Sequence, residues 1–160
     1  MMMSSRLYLL ASGSLLMLVF AFHSLAQTAP STPALNSPAG RWKTIDDETG
    51  KTKSIVAIRE EKGKLYGMIE KVLDSDQPGP NPLCIHCEGD LKNKPENGLQ
   101  IMWELKRDGD QWSGGQILDP HNGKIYRCYI SLEDGGKKLK VRGFIGFALL
   151  GRTEYWLRME

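Results

Sequence analysis

The chain has 160 residues and a formal net charge of +2, from 21 basic and 19 acidic side chains. The two signs are interspersed and no basic block stands out, so a phosphate backbone is a poor partner and nucleic acid is excluded from the expected ligands. Once a leader is set aside, the length fits one domain with one core.

Residues 1–6 form a short positive segment, and residues 7–22 are an almost unbroken apolar run. Ser24-Leu25-Ala26 follows with small residues in the cleavage positions. This predicts a cleavable signal peptide over residues 1–26, cut between Ala26 and Gln27. The run is short and wrongly flanked for a span. A retained anchor helix is the other reading, and no membrane span is expected after cleavage. No Cys follows the cut, which argues against a lipid anchor. Residues 27–39, rich in Pro, Ser, Thr and Ala, read as a disordered linker. The expected product is exported, periplasmic or secreted, with its folded domain at 40–160.

Gly40-Arg41-Trp42 opens the first strand, with Gly40 allowing close backbone passage and Trp42 set to plug one end of a closed sheet. Asp46 to Gly50 makes the first turn. Ile55, Val56 and Ile58 give a β-branched run, Glu61-Lys62-Gly63-Lys64 turns it, and residues 65–73 follow as a strand. Leu99, Ile101, Trp103 and Leu105 alternate strictly with polar residues, which predicts one buried face. Arg107-Asp108-Gly109-Asp110 is a hairpin turn. The next strand, 111–118, is interrupted by Gly114-Gly115, a bulge signal. Asp119-Pro120-His121-Asn122-Gly123 is a strong turn. Tyr126, Cys128, Ile130 and Leu132 alternate, as do Leu139, Val141, Gly143 and Ile145 after Asp134-Gly135-Gly136. The last segment, 149–159, carries Tyr155 and Leu157 on one parity.

This makes about eight strands joined mostly by tight turns, with no convincing amphipathic helix. The fold class is all-β, an antiparallel up-and-down barrel that removes its edges by closing. A two-sheet sandwich is the alternative, disfavoured by the hairpin order. Residues 74–97 form a long Pro- and Gly-rich connection, and such loops are functional or pinned.

Cys84-Ile85-His86-Cys87 is the sharpest motif in that loop. In an oxidising compartment the pair reads first as a short disulfide between Cys84 and Cys87. A thiol-redox site is a second reading, although such cysteines normally open a helix, which is not foreseen here. Metal binding is a third, needing His86, His121 or Cys128 to complete the ligand set. No metal site and no cofactor is expected on balance. Cys128 lies on the apolar parity of its strand and reads as a buried thiol, or as a partner for a loop Cys or another chain. The Asp119–Gly123 turn places an acid beside His121, but such turns use these residues for backbone reasons, and no nucleophile elbow is present. No catalytic residue is assigned. Arg158 or Arg152 stacked on Trp42 would staple the last strand to the first. Arg142 is the candidate to meet a ligand's carboxylate or phosphate.

Gly40-x-Trp42, the Cys84-x-x-Cys87 loop, Gly98-Leu99, the run from Gly114-Gly115 to Tyr126, the Leu139–Gly146 block and the terminal Gly151-Arg152-Thr153-x-x-Trp156-x-Arg158 resemble, in order, an exported bacterial family known as domain of unknown function 2147. The family is similar to lipocalin-type barrels of the calycin group. The resemblance implies an exported barrel able to carry a small apolar molecule, and no catalytic residues. Together these readings predict a barrel that binds a small apolar or amphipathic ligand, lined by Tyr66, Trp103, Tyr126 and Arg142 and closed by Gly40, Trp42, Arg152 and Arg158. The alternatives are redox or metal chemistry at Cys84 and Cys87, or a ligand-free barrel that acts as an envelope interaction module through the 74–97 loop.

Overall fold

The structure, a computed structural model, describes residues 35–160. The predicted signal peptide and most of the predicted linker lie outside the described residues. Eight strands follow one another: β1 (Gly40–Ile45), β2 (Thr52–Glu61), β3 (Lys64–Val72), β4 (Gln100–Asp108), β5 (Gln111–Asp119), β6 (Lys124–Glu133), β7 (Lys138–Phe144) and β8 (Gly151–Arg158). Each pairs antiparallel with the next, and β8 pairs with β1, so the sheet closes into a barrel with no free edge.

Directly paired residues share a face, so the register separates inside from outside. Trp42, Val56, Ile58, Leu65, Ile69, Met102, Leu105, Cys128, Ile130, Leu139, Val141 and Trp156 make up most of the buried core. They fill the barrel from the end where β1 begins and β8 ends up to the level of Ile117 and Gly143. Here the closing contact forms. The Arg158 guanidinium carbon lies 4.2 Å from the centre of the Trp42 ring, and Trp42 is fully buried. Arg158 also donates to the carbonyls of Gly136 (2.6 Å), Ala39 (3.0 Å) and Ser37 (2.7 Å). The indole Nε1 of Trp42 donates to the Pro38 carbonyl at 2.8 Å. Residues 35–39, assigned to the linker on composition, are therefore tied to the barrel floor, and Pro38 is itself fully buried. Gly40 enters β1 at a φ of 134°, a conformation that an L side chain rarely adopts.

Arg152 does not stack on Trp42. It lies six residues earlier on β8, which puts it about 20 Å away along the strand, at the opposite end of the barrel.

Strict alternation also fails on β4. Glu104 adopts a φ of 59°, which breaks the pleat between Trp103 and Leu105. Met102 and Leu105 face the interior. Trp103 pairs with Gln116 on the outer face, and its neighbour Ile101 is buried. The long connection explains that burial. Residues 73–99 fold back over this part of the outer face and over the β5–β6 turn. They are wired internally: Cys84 N–H donates to the Lys94 carbonyl at 2.9 Å, Gln77 exchanges hydrogen bonds with the Leu83 backbone, and the Asn97 side chain accepts from Val72 N–H at 2.7 Å. Cys84 and Cys87 form a disulfide, with Cα atoms 5.3 Å apart and both residues buried.

Candidate functional site at the open end of the barrel

Opposite the Trp42 floor, the barrel mouth is bounded by the 46–51 turn, the disulfide loop, the β5–β6 turn and the β7–β8 turn. The interior changes character towards this end. Thr44 and Ser54 are buried and bonded to each other, hydroxyl to hydroxyl at 2.9 Å. On β8, Trp156, Glu154 and Arg152 follow one another along the inward face, because Trp156 pairs with Leu139 and Arg152 with Gly143.

Glu154 is the most unusual of these. It is a carboxyl on the inner wall of a barrel, accepting from Trp156 Nε1 at 3.1 Å and lying 3.8 Å from Arg152 Nε. Burial raises its pKa, and the neighbouring Asp119 and Asp47 add to the rise against the opposing pull of Trp156 and Arg152. Arg152 pairs with Asp47 and lies 3.7 Å from Asp46. The hydrogen bond that Arg152 donates to Asp47 holds the guanidinium's pKa above its ordinary value. Glu96, contributed by the disulfide loop, is also raised, first by burial and then by Asp119. The Asp119 carboxylate thus acts on both Glu96 and Glu154 at the mouth.

The β5–β6 turn supplies the fourth wall. Asp119 accepts from His121 N–H at 3.0 Å and from Asn122 Nδ2 at 2.8 Å. Asn122 Nδ2 also donates to the Tyr126 hydroxyl at 3.0 Å. That oxygen is occupied as an acceptor, so its own proton is free to be donated. Tyr126 pairs with Ile117, and both approach Gly143 on the inner face. Gly123 has a φ of 73°, and a Cβ there would fall on the His86 carbonyl oxygen. The turn and the disulfide loop therefore meet backbone to backbone.

Of the four predicted lining residues, Tyr126 alone reaches this mouth. Tyr66 is on the outer face, beneath the Arg59 guanidinium at 5.4 Å, because its neighbours Leu65 and Gly67 point inward. Arg142 is also outside. It donates to Thr153 Oγ1 (2.7 Å), the Ala148 carbonyl (2.8 Å) and the Leu149 carbonyl (3.2 Å). Trp103 lines an open outer cleft of about 420 Å³ together with Leu91, Pro95 and Leu99. Sequence reasoning missed Glu154. The signal was the parity of the last strand, in which Trp156 is buried while Tyr155 and Leu157 are each 43% exposed.

Among the described residues, no group of three or more His, Cys, Asp or Glu side chains is placed to hold a metal ion. The disulfide occupies the two sulfurs that a metal site at Cys84 and Cys87 would need. Cys128 is a buried free thiol, its pKa pushed up to about 12 by burial and by Glu154. It should resist a thiol-specific reagent in the folded protein at about pH 8 and react at once in denaturant. A fast native reaction would show that the β5–β6 wall opens.

A closed eight-stranded antiparallel barrel with one plugged end and one polar mouth is the lipocalin type of architecture. The chain belongs to the family described as "Uncharacterized protein conserved in bacteria (DUF2147)", which matches residues 40–158. It is similar in fold to a solved structure of protein HP1028 from Helicobacter pylori, described as belonging to the lipocalin family. The TM-score is 0.66 at 20% sequence identity, covering 78% of this chain and 84% of that one. No curated protein matches the chain.

Proposed function

We propose that the protein is an exported barrel that binds one small amphipathic molecule at its open end. The carrying observation is Glu154, a half-buried carboxyl facing the interior beside Arg152. A barrel acting only as a packed scaffold gains nothing from burying it, since burial of an ionisable group costs free energy unless it is fully compensated. The ligand's apolar part lies over Ile117 and Gly143. Its polar end, cationic or hydrogen-bond donating, meets Glu154, while Tyr126 donates to an acceptor on the ligand. The filled floor makes the site shallow, so the ligand is short. The buried disulfide supports a staple role for Cys84 and Cys87, holding one wall of the mouth, over thiol chemistry.

Hexylamine and hexanoate, titrated in parallel and followed by native mass spectrometry, test this. The amine should bind one to one and in preference to the acid. Glu154→Gln should weaken the amine about tenfold, the effect of losing one hydrogen bond to a charged group. Equal binding of both probes, no binding, or indifference to Glu154→Gln would sink the proposal.

The same carboxyl sets a pH dependence. The folded state holds the Glu154 proton more tightly than the unfolded state, whose glutamate titrates near its ordinary value of 4.5. Its contribution is therefore fully present below that value and lost as pH rises towards the raised folded pKa. Urea midpoints between about pH 4 and pH 8 should decline more steeply for the parent than for Glu154→Gln. Glu96 contributes with the same sign in both proteins, so the difference between them isolates Glu154.

A further inference from the structure

The β7–β8 turn is unlike the other turns of the barrel. From Gly143 to Gly151 the sequence is Gly-Phe-Ile-Gly-Phe-Ala-Leu-Leu-Gly, with no polar side chain. Ile145, Phe147, Leu149 and Leu150 are 59%, 80%, 91% and 74% exposed. Turns in soluble barrels are normally built from Gly, Asn, Asp and Ser, and clustered exposed apolar side chains mark an interaction site.

We propose that this turn inserts into the surface of an anionic lipid bilayer and anchors the barrel there beside the basic outer face of β6 and β7. The inference is independent of the ligand reading.

Three observations favour a bilayer over a protein groove. First, three of the tip's carbonyls are already satisfied from within the chain. Leu150 N–H donates to the Phe147 carbonyl at 3.0 Å, and the Arg142 fork takes the carbonyls of Ala148 and Leu149 at 2.8 and 3.2 Å. An apolar medium offers these oxygens no donor, so a segment entering it must supply its own. Second, the patch is a projecting tip without side-chain hydrogen-bonding groups. It offers a protein partner no polar specificity, yet its Phe and Leu residues suit the acyl boundary. Third, the outer face of β6 and β7 below it carries basic side chains. Arg127 pairs with Phe144 across the outer face, its guanidinium carbon 5.6 Å from that ring, and Lys124 lies at the same end of β6. Among the described residues, Arg127, Lys124 and Arg142 make no salt bridge. With the tip inserted they stand at headgroup height, where basic side chains attract anionic lipids.

The test is vesicle flotation with protein purified from its native host in the form that host accumulates. Vesicles contain phosphatidylglycerol and phosphatidylethanolamine, or neutral phosphatidylcholine alone. The parent should float with the anionic vesicles and much less with the neutral ones. The double variant Phe147→Asp/Leu149→Asp should lose affinity by about tenfold or more, the effect of exposing at least one large apolar side chain. Its urea midpoint should match the parent's, because both side chains are exposed. In the Phe147→Trp variant, emission should shift to the blue on adding vesicles, and brominated acyl chains should quench it beyond the quenching seen in the parent. Equal flotation of parent and double variant would overturn the proposal. So would an unquenched reporter, or a dimer in sedimentation velocity that the double variant abolishes without lipid binding.

Discussion

Trp42→Ala is expected to lower stability by about 3–5 kcal/mol, read as a fall in the urea midpoint at unchanged slope. The indole is fully buried at the barrel floor and packs against Leu139 and Trp156 in one core. Truncation leaves a cavity too far from the mouth to be filled by rearrangement there. It also strips Arg158 of its stacking partner and leaves the Pro38 carbonyl without its donor. The cation–π contact alone is worth roughly 0.5–2 kcal/mol. Arg158→Lys separates the terms, since lysine keeps the charge but cannot span three carbonyls with a planar fork. It should cost less than Trp42→Ala. A Trp42→Ala protein of near-parental stability would mean that the floor is sealed by other groups.

Gly123→Ala is the second large effect, roughly 2–5 kcal/mol for the docking of the disulfide loop, from backbone strain at positive φ plus overpacking. The new methyl would overlap the His86 carbonyl oxygen and press on the Cys87 amide. Neither is a flexible side-chain end, so the loop must lift off the β5–β6 turn. The expected signature is local. Far-ultraviolet circular dichroism stays β-like, while the Cys84–Cys87 disulfide becomes quickly reducible by glutathione. A disulfide equally resistant in Gly123→Ala and parent would show that the loop is held by its internal wiring alone.

Much of the architecture could be read from the chain. Alternation on β6 and β7, the Gly114-Gly115 bulge and the Asp-Gly turns all carry local physics that the barrel keeps. The closure could be read as well, since Gly40 and Trp42 open a first strand and an Arg ends the last. The choice between Arg152 and Arg158 needed register, because both share one parity and differ only in height along β8. The mouth was far less legible. Tyr66 and Arg142 have the residue types a ligand wants but the outward parity, and composition does not reveal parity when both faces carry apolar residues. Trp103 was misjudged for a sharper reason. A non-glycine residue at positive φ, Glu104, reverses the alternation in mid-strand, and a distant loop then covers the face that alternation assigns to solvent. Glu154 was overlooked because an acid between Thr153 and Tyr155 looks like ordinary strand decoration.

Only two residue pairs join β1 to β8, Trp42 with Arg158 and Lys43 with Leu157, whereas most other neighbouring strands share at least five. A cylinder yields first along its weakest stave. Amide hydrogens beside this line exchange soonest, and the Arg152–Asp47 link bridges the same line at the mouth. The molecule thus has one short seam, pinned by an aromatic ring at the bottom and an ion pair at the top, where the wall is expected to loosen first while the other seven joints hold.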